Sequence, residues 1–245
     1  MSRPDIDLRD LIGADVLDQG RRQTCVAFAT SAAHEAARSE GGYAPEHLSP
    51  EAIWHYCHQH GLTGEDGMLL WSASSALGDS GQPLLSIWPY DSLLGSGTEE
   101  PPDGAGKPPW NQAELIAVHI AHDGIEDAIE DALAAKTPVA IILEITDEFL
   151  LATTEGLIEV PDIRANHGGY HAVTCVGAAD HPTHGRLLLV KNSWGDEWGS
   201  GGYGWLPIGY LQRSAPRQRQ FASAERPLTN VESEDSVESW RGHCL

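Results

Sequence analysis

Long apolar runs are missing from this chain. No segment approaches the ~18 consecutive apolar residues that a membrane-spanning helix needs. The first residues, 1–7, also lack the apolar core of a signal peptide. We therefore expect a cytoplasmic protein that does not interact with membranes, with export by a signal-independent route left open.

Cysteine and basic residues are scarce as well. The chain has four cysteines without a recognisable disulfide pattern, which favours a reducing compartment. Its 15 Lys and Arg residues stand against 36 Asp and Glu residues, for a formal net charge of −21. Such a charge argues against nucleic acid and anionic membranes as partners, because both would be repelled, and it would attract cationic peptides. Alternatively, the charge serves only solubility or adaptation to salt.

The chain does contain enough apolar material for a sizeable core. Hydrophobic residues make up 41% of its 245 residues, which suits two subdomains around one cleft or a single large domain. Residues 95–109 are rich in turn-forming Gly and Pro, so we place a boundary there. We predict a mainly helical unit over 1–110, a strand-rich unit over 111–211 and a polar, flexible tail over 212–245.

Helices are predicted early in the chain. Residues 25–38 form an Ala-rich helix, and Ser49 caps a second helix with Pro50 at its first position. A third helix should begin after Gly67.

The second half opens with one more helix and then turns to strands. Asp123 and Glu126 resemble a capping pair. Apolar residues follow at the spacing of one buried helix face: Ile125, Ala128, Ile129, Ala132 and Leu133. Short runs of branched apolar residues at 139–143 and 187–190 are typical of core strands.

A cysteine at the predicted start of the first helix is the most informative residue. The stretch 19–28 around it reads Gln-Gly-Arg-Arg-Gln-Thr-Cys-Val-Ala-Phe. A free thiol titrates near pH ~8.5, so a nucleophilic cysteine needs a helix N-terminus or a neighbouring imidazolium to become a thiolate. Cys25 would have the helix N-terminus. A lone buried cysteine is otherwise an inert small hydrophobe, which is our interpretation of Cys57 and Cys175.

A histidine and an asparagine follow more than a hundred residues downstream, in the segments Gly-Tyr-His-Ala-Val and Lys-Asn-Ser-Trp-Gly. His171 would share the thiol proton and later deliver it to a leaving amine. Asn192 would fix the tautomer and tilt of the imidazole without adding charge. The side-chain amide of Gln19 and the backbone N–H of Cys25 would form an oxyanion hole.

In this order, Gln19, Cys25, His171 and Asn192 resemble the active site of the papain-like cysteine peptidases, and the resemblance extends over residues 18–211. It implies an α+β, papain-like two-domain fold. A helical left domain and an antiparallel β-barrel-like right domain would hold the active site in the cleft between them. The implied reaction is hydrolysis of peptide bonds through an acyl-thioester on Cys25.

The likeness is strongest to the bacterial branch of that family, because Trp-Pro-Tyr at 88–90 follows Gly-Glu-Asp-Gly at 64–67. About two dozen residues precede Cys25, so we expect no inhibitory propeptide of the kind that secreted members carry. Three neighbouring residues depart from the family pattern. Arg22 stands where many secreted members have a disulfide cysteine, Gln23 where they have a cleft glycine, and Val26 where they have tryptophan. These departures bear on substrate preference rather than on the chemistry.

The resemblance also implies a substrate-binding set. The backbone at Asp66 and Gly67 would pair with an extended peptide, and the Asp66 carboxylate would favour a basic substrate residue nearby. The remaining members are Met68, Leu69, Ile142, Ala172 and Trp194. The first four would form an apolar pocket for the side chain two positions before the cut. Trp194 would cover the bond between His171 and Asn192. Alternatively, Met68 and Leu69 are simply core residues of the following helix.

Other functions remain open. An acyl transferase or peptide ligase would use the same scaffold, since an amine can replace water in the second step. A catalytically silent binding module would be expected to have lost at least one of the four active-site residues. The polar tail would fold over the cleft, contact a protein partner, or be solvated without a role.

We predict no cofactor and no metal. The twelve histidines include a cluster at His55, His58 and His60 and two pairs, 119/122 and 181/184. None is joined to a cysteine or carboxylate set at zinc-site spacing.

Overall fold

The computed structural model describes residues 3–117, 125–161, 169–214 and 221–225. Its helices are α1 (Cys25–Glu40), α2 (Pro50–Gln59), α3 (Leu70–Asp79), α4 (Ile125–Ala134), α5 (Asp147–Leu150) and α6 (Ile208–Ser214). Its strands are β1 (Ile6–Asp7), β2 (Thr63–Gly64), β3 (Gly67–Met68), β4 (Glu114–Ala117), β5 (Val139–Glu144), β6 (Tyr170–His181), β7 (Gly185–Lys191), β8 (Tyr203–Pro207) and β9 (Phe221–Glu225). The predicted α+β class is confirmed.

Helix α1 lies at the centre of the molecule. Residues 26–36 are all buried, as expected for a helix that is covered on every side. Its small alanines let α2 and α3 pack closely on one side, around Ile53 and Leu77. On the other side it meets the sheet, where Thr174 Oγ1 of β6 donates to Ala29 O at 3.0 Å. The start of α1 therefore lies between the helices and the sheet.

The first helices begin near the predicted positions. Helix α2 has Ser49 at its N-cap and Pro50 at its first position, but the Ser49 side chain makes no capping hydrogen bond. Helix α1 runs two residues beyond the predicted residue 38, to Glu40. Helix α3 begins at Leu70, shortly after Gly67.

One antiparallel sheet carries the second half of the chain. Its strand order is β4-β9-β5-β6-β7-β8, and β1 pairs with Gly177 and Ala178 of β6. The described strands do not close into a barrel, so the barrel-like expectation was loose. The outer edge of β8 is instead covered by an irregular segment: Trp205 N donates to Gly156 O at 2.7 Å, and Ile158 N to Trp205 O at 3.1 Å. An edge protected in this way needs no partner strand.

The core of the sheet side is formed by α4 against β5, β6 and β7. Ile129 and Leu133 are fully buried beside Ile141, Val173 and Val190, which confirms the predicted buried face of α4 at these two positions. Asp123, part of the predicted capping pair, and the side chain of Ile125 lie outside the described residues.

The C-terminal region differs from its prediction. Helix α6 runs to Ser214, across the predicted boundary at 212, and β9 pairs with both β4 and β5. A flexible tail is therefore wrong for residues 221–225. The reason is that a five-residue strand between two others is stabilised by their backbone groups and needs no long apolar run of its own. The rest of the predicted tail, 226–245, lies outside the described residues.

None of the helices in these described ranges is long and apolar enough to cross a membrane.

Candidate active site

Cys25 is the first residue of α1, with its side chain partly buried. Thr24 occupies the N-cap without a side-chain capping bond, so the first N–H groups of the helix stay available at this end. Burial raises the pKa of the Cys25 thiol above its usual value, and the backbone N–H groups of Ala172, Val26 and Cys25 itself partly offset this shift. Without a base, the thiol is therefore protonated at neutral pH.

His171, the predicted base, lies at the start of β6, next to Ala172. Its Nε2 lies 2.7 Å from Asn192 Oδ1. The same Oδ1 accepts from the backbone N–H of Ser193 at 2.7 Å, which identifies that atom as the amide oxygen. Nε2 must therefore carry the hydrogen, and the lone pair lies on Nδ1. Burial lowers the pKa of His171 to about 4, against the Asn192 hydrogen bond, which raises it. The ring is thus a neutral base at physiological pH.

Asn192 is itself buried, at the end of β7. Its Nδ2 has no hydrogen-bond partner among the described residues. The residue Asn192 lines a cavity of about 20 Å³, together with Lys191 and Ser193. A space of that size has room for one water molecule.

An aromatic cluster holds the imidazole in place. The Trp194 ring stacks on His171 with centroids 4.6 Å apart and 29° between the planes. The ring of the fully buried Phe149 of α5 makes T-shaped contacts with both His171 and Trp194, with ring centroids 6.1 Å and 5.5 Å apart. Trp194, predicted to cover the bond between His171 and Asn192, thus lies on the His171 ring. Sequence reasoning missed Phe149, because nothing near Phe149 in the chain links it to His171.

Gln19 lies in the loop that precedes Cys25 and is 6% exposed. Its Nε2 donates to Arg22 O at 2.8 Å, and its Oε1 accepts from Ser193 Oγ at 2.6 Å. An amide nitrogen has two hydrogens, so one Nε2 hydrogen is not used by these contacts. The structure therefore brings Gln19, Cys25, His171 and Asn192 to one place, two from each half of the chain.

The proposed substrate-binding residues divide into two groups. Met68 and Ala172 are buried in one apolar cluster, with Ile142 and Cys25 packed against it. Asp66 is exposed and Leu69 is 40% exposed, so only Met68 of the adjacent pair Met68–Leu69 lies in the core.

Gly67 lies in the short β2–β3 hairpin, where the backbone conformation and the space available require glycine. Its φ is +103°, and a Cβ added there would lie 2.7 Å from Gln23 O. Glycine is the residue that tolerates both conditions.

Within the described ranges, no three His, Cys, Asp or Glu side chains lie close enough together to hold a metal ion. His119 and His122 fall outside those ranges. His181 and His184 lie with ring centroids 4.8 Å apart.

A thiol at a helix start, beside a His–Asn pair on an antiparallel sheet, defines a papain-like α+β fold. The solved structures agree. Xylellain, a cysteine protease from Xylella fastidiosa, superposes with a TM-score of 0.73 over 93% of this chain and 88% of its own, at 21% identity. The bromelain protease from Ananas comosus, in complex with the E64 inhibitor, gives 0.69 over 92% and 100%, at 20% identity. At these identities the likeness concerns the fold alone.

The chain belongs to the papain family of cysteine proteases, because the model of that family matches residues 3–214. Among curated relatives, a cathepsin L-like proteinase of Fasciola hepatica is 26% identical over 194 residues, which cover 77% of this chain and 55% of that protein. Cathepsin L of Sarcophaga peregrina is 25% identical over 193 residues, covering 77% and 53%. The chain thus spans about half the length of these relatives.

Proposed function

We propose that this protein is a cysteine peptidase that hydrolyses peptide bonds through an acyl-thioester on Cys25. One observation carries the proposal. The thiol at the start of α1 lies against Ala172, and the adjacent His171 is a buried, neutral imidazole whose Nε2–H is bound to Asn192. The four residues have complementary roles, and membership of the papain family supports this chemistry.

The first half of the reaction forms the acyl-thioester. His171 Nδ1 accepts the Sγ proton of Cys25 while the sulfur attacks the peptide carbonyl carbon. Negative charge develops on the carbonyl oxygen and is stabilised by the free Nε2–H of Gln19 and the backbone N–H of Cys25. As the C–N bond breaks, the imidazolium returns its proton to the leaving amine.

The second half releases the acid. A water molecule gives a proton to His171 and attacks the thioester carbon, and the C–S bond breaks. The departing thiolate recovers its proton from the ring, and the site is restored. Throughout, Asn192 holds the ring, and Trp194 covers the face on which it stacks.

Substrate preference follows from the surroundings of the thiol. Met68, Ile142 and Ala172 favour an apolar side chain, and the exposed carboxylate of Asp66 favours a basic residue next to it. The formal charge of −21 acts in the same direction, because it attracts cationic peptides.

The direct test is turnover of a peptide library with varied apolar and basic positions, with the products identified by mass spectrometry. Cleavage that is lost in Cys25→Ala supports the proposal. Intact peptides under all conditions would contradict it. Repeating the reaction with an added amine separates hydrolysis from acyl transfer, because a transferase would convert most of the substrate to the amide.

A further inference from the structure

Arg22 is a buried arginine three residues before Cys25. It is 2% exposed, and in its ion pair with Glu51 both side chains have 0% exposure. A buried ion pair is costly unless every polar hydrogen and lone pair is satisfied. The surroundings of Arg22 meet that demand.

All five N–H donors of the guanidinium have acceptors. Nε donates to Gly95 O at 3.1 Å; Nη1 donates to Glu51 Oε2 and, at 2.9 Å, to Asp91 O. Nη2 donates to Glu51 Oε1 at 3.1 Å and to Gly97 O at 2.9 Å. Only an arginine presents five donors in a fixed planar fork, so lysine is not an equivalent replacement.

Glu51 is bound just as fully from its place in the first turn of α2. Besides Arg22, its Oε1 accepts from Thr98 Oγ1 at 2.9 Å and from the backbone N–H of Glu99 at 3.2 Å. The ion pair thus joins three parts of the chain: the loop before Cys25, helix α2 and the segment 91–99. We call this assembly the Arg22 clamp.

The clamp contacts the oxyanion-hole residue directly. Gln19 Nε2 donates to the carbonyl oxygen of Arg22 itself at 2.8 Å. The guanidinium lies over the ring of Tyr90 at 4.5 Å, and the Tyr90 hydroxyl donates to Gln19 O at 3.0 Å. Because the amide group is planar, fixing one Nε2 hydrogen on Arg22 O also fixes the direction of the other.

We propose that Arg22 and Glu51 are positioning residues for the oxyanion hole: their buried ion pair holds the loop that aims the free Nε2–H of Gln19 at the developing negative charge. The inference rests on the proposed peptidase function. Arg22, one of the three residues that depart from the family pattern, thus has a role in the site.

The test compares two reactions of Cys25 that differ in their need for an oxyanion hole. Peptide hydrolysis needs it; alkylation of the thiol by iodoacetamide does not. Both rates are measured for the wild type, Arg22→Lys, Gln19→Ala and the double variant, with thermal melting to check folding. Arg186→Lys is the matched control, since Arg186 also binds a glutamate, Glu130, and a carbonyl, Pro4 O, away from Cys25.

We expect kcat/KM of Arg22→Lys to fall roughly tenfold, less than the ~10²–10³-fold cost of deleting an oxyanion donor. Its alkylation rate should stay within about twofold of the wild type, because helix α1 and His171 are untouched. In the Gln19→Ala background, Arg22→Lys should cost nothing further, because residues that act through one another are not additive. Arg186→Lys should leave both reactions unchanged.

The proposal is overturned if the losses of Arg22→Lys and Gln19→Ala multiply, or if alkylation falls as much as turnover. If Arg22→Lys does not fold, Glu51→Gln is read in the same way, since it weakens the clamp from the other side. A folded wild type whose Cys25 is alkylated but which cleaves no peptide would overturn the proposed function and this inference together. If the wild type cleaves peptides but the Arg22→Lys results contradict the proposal, only the role of the Arg22 clamp is overturned, and the proposed peptidase function stands.

Discussion

His171 can act as a base only while its ring is neutral. Two donors, its own Nε2–H and the Ser193 N–H, converge on Asn192 Oδ1, which leaves the Nδ1 lone pair for the thiol proton. Since burial lowers the pKa of His171 to about 4, that lone pair is available over the whole physiological range.

A pH profile follows from this shift. We expect kcat/KM to fall as the pH drops through about 4, where the imidazole becomes protonated. Replacing Asn192 by Asp places a carboxylate on Nε2, which stabilises the imidazolium and raises the pKa of His171. The acid limb of Asn192→Asp should therefore move to higher pH in a steady-state profile. An unchanged limb would show that another group controls it.

The residues of the candidate site were predictable to different degrees. Cys25 and Asn192 stand in local patterns whose chemistry can be deduced from neighbouring residues. Phe149 contacts His171 only through the packing of α5 on the sheet, which no local pattern encodes. Arg22 was visible as an unusual residue, but its partner Glu51 is 29 positions away.

The β2–β3 hairpin places its backbone against the loop before Cys25, and Gly67 makes that approach possible. An alanine there would suffer both the φ of +103° and a Cβ 2.7 Å from Gln23 O. We expect Gly67→Ala to lower the free energy of unfolding by ~1–3 kcal/mol and to reduce turnover. Gly64→Ala is the control, because a Cβ at that hairpin position meets nothing within 4 Å. Chemical denaturation and peptide hydrolysis check both variants, and equal stability of the two would contradict the account.

Strand β9 lies between β4 and β5: residues 222–225 pair with β4 and residues 221–223 with β5, so Ser223 has a neighbouring strand on both sides. We expect Ser223→Pro to lower the free energy of unfolding by ~1–3 kcal/mol. Proline has no backbone N–H, so the carbonyl that accepts this hydrogen bond in the neighbouring strand would be left unpaired. Ser223→Thr, which keeps the N–H, should be nearly neutral. If denaturant titration finds the two variants alike, β9 does not contribute to the sheet.

Strand β9 also shows where composition fails as a predictor. Residues 212–245 look too polar to pack, yet residues 221–225 form a strand that pairs with β4 and, over 221–223, also with β5. Helix α4, by contrast, was predictable, because its apolar residues repeat at helical spacing and Ile129 and Leu133 face the core. Helical spacing of apolar residues predicts a buried helix face. No comparable sequence pattern predicts a strand that is stabilised mainly by pairing with the backbone of its neighbours.

For the whole molecule, two buried histidines link stability to pH. Burial lowers the pKa of both His34 and His171 to about 4. Between pH ~6.5 and about 4 the unfolded chain binds protons that the folded protein does not, so stability falls as the pH falls. Each histidine contributes up to about 3 kcal/mol to this loss.

Denaturant titrations at pH 7, 5.5 and 4.5 measure the effect. The variant His34→Gln removes one titrating group and retains an amide donor for Gln82, so its stability should depend less on pH than that of the wild type. Equal slopes for the two proteins would exclude His34 as a contributor.

The central claim is that Cys25 is an activated nucleophile in an active site that both halves of the chain contribute to. The most direct test treats the protein with a peptidyl epoxide and maps the modified cysteines by mass spectrometry over time. Cys57 and Cys175 are internal controls, since both are buried and burial raises their pKa values, that of Cys57 to about 12. We predict rapid modification of Cys25 ahead of every other cysteine, lost in His171→Ala. Slow modification without preference, or labelling of Cys25 that persists in His171→Ala, would contradict the claim.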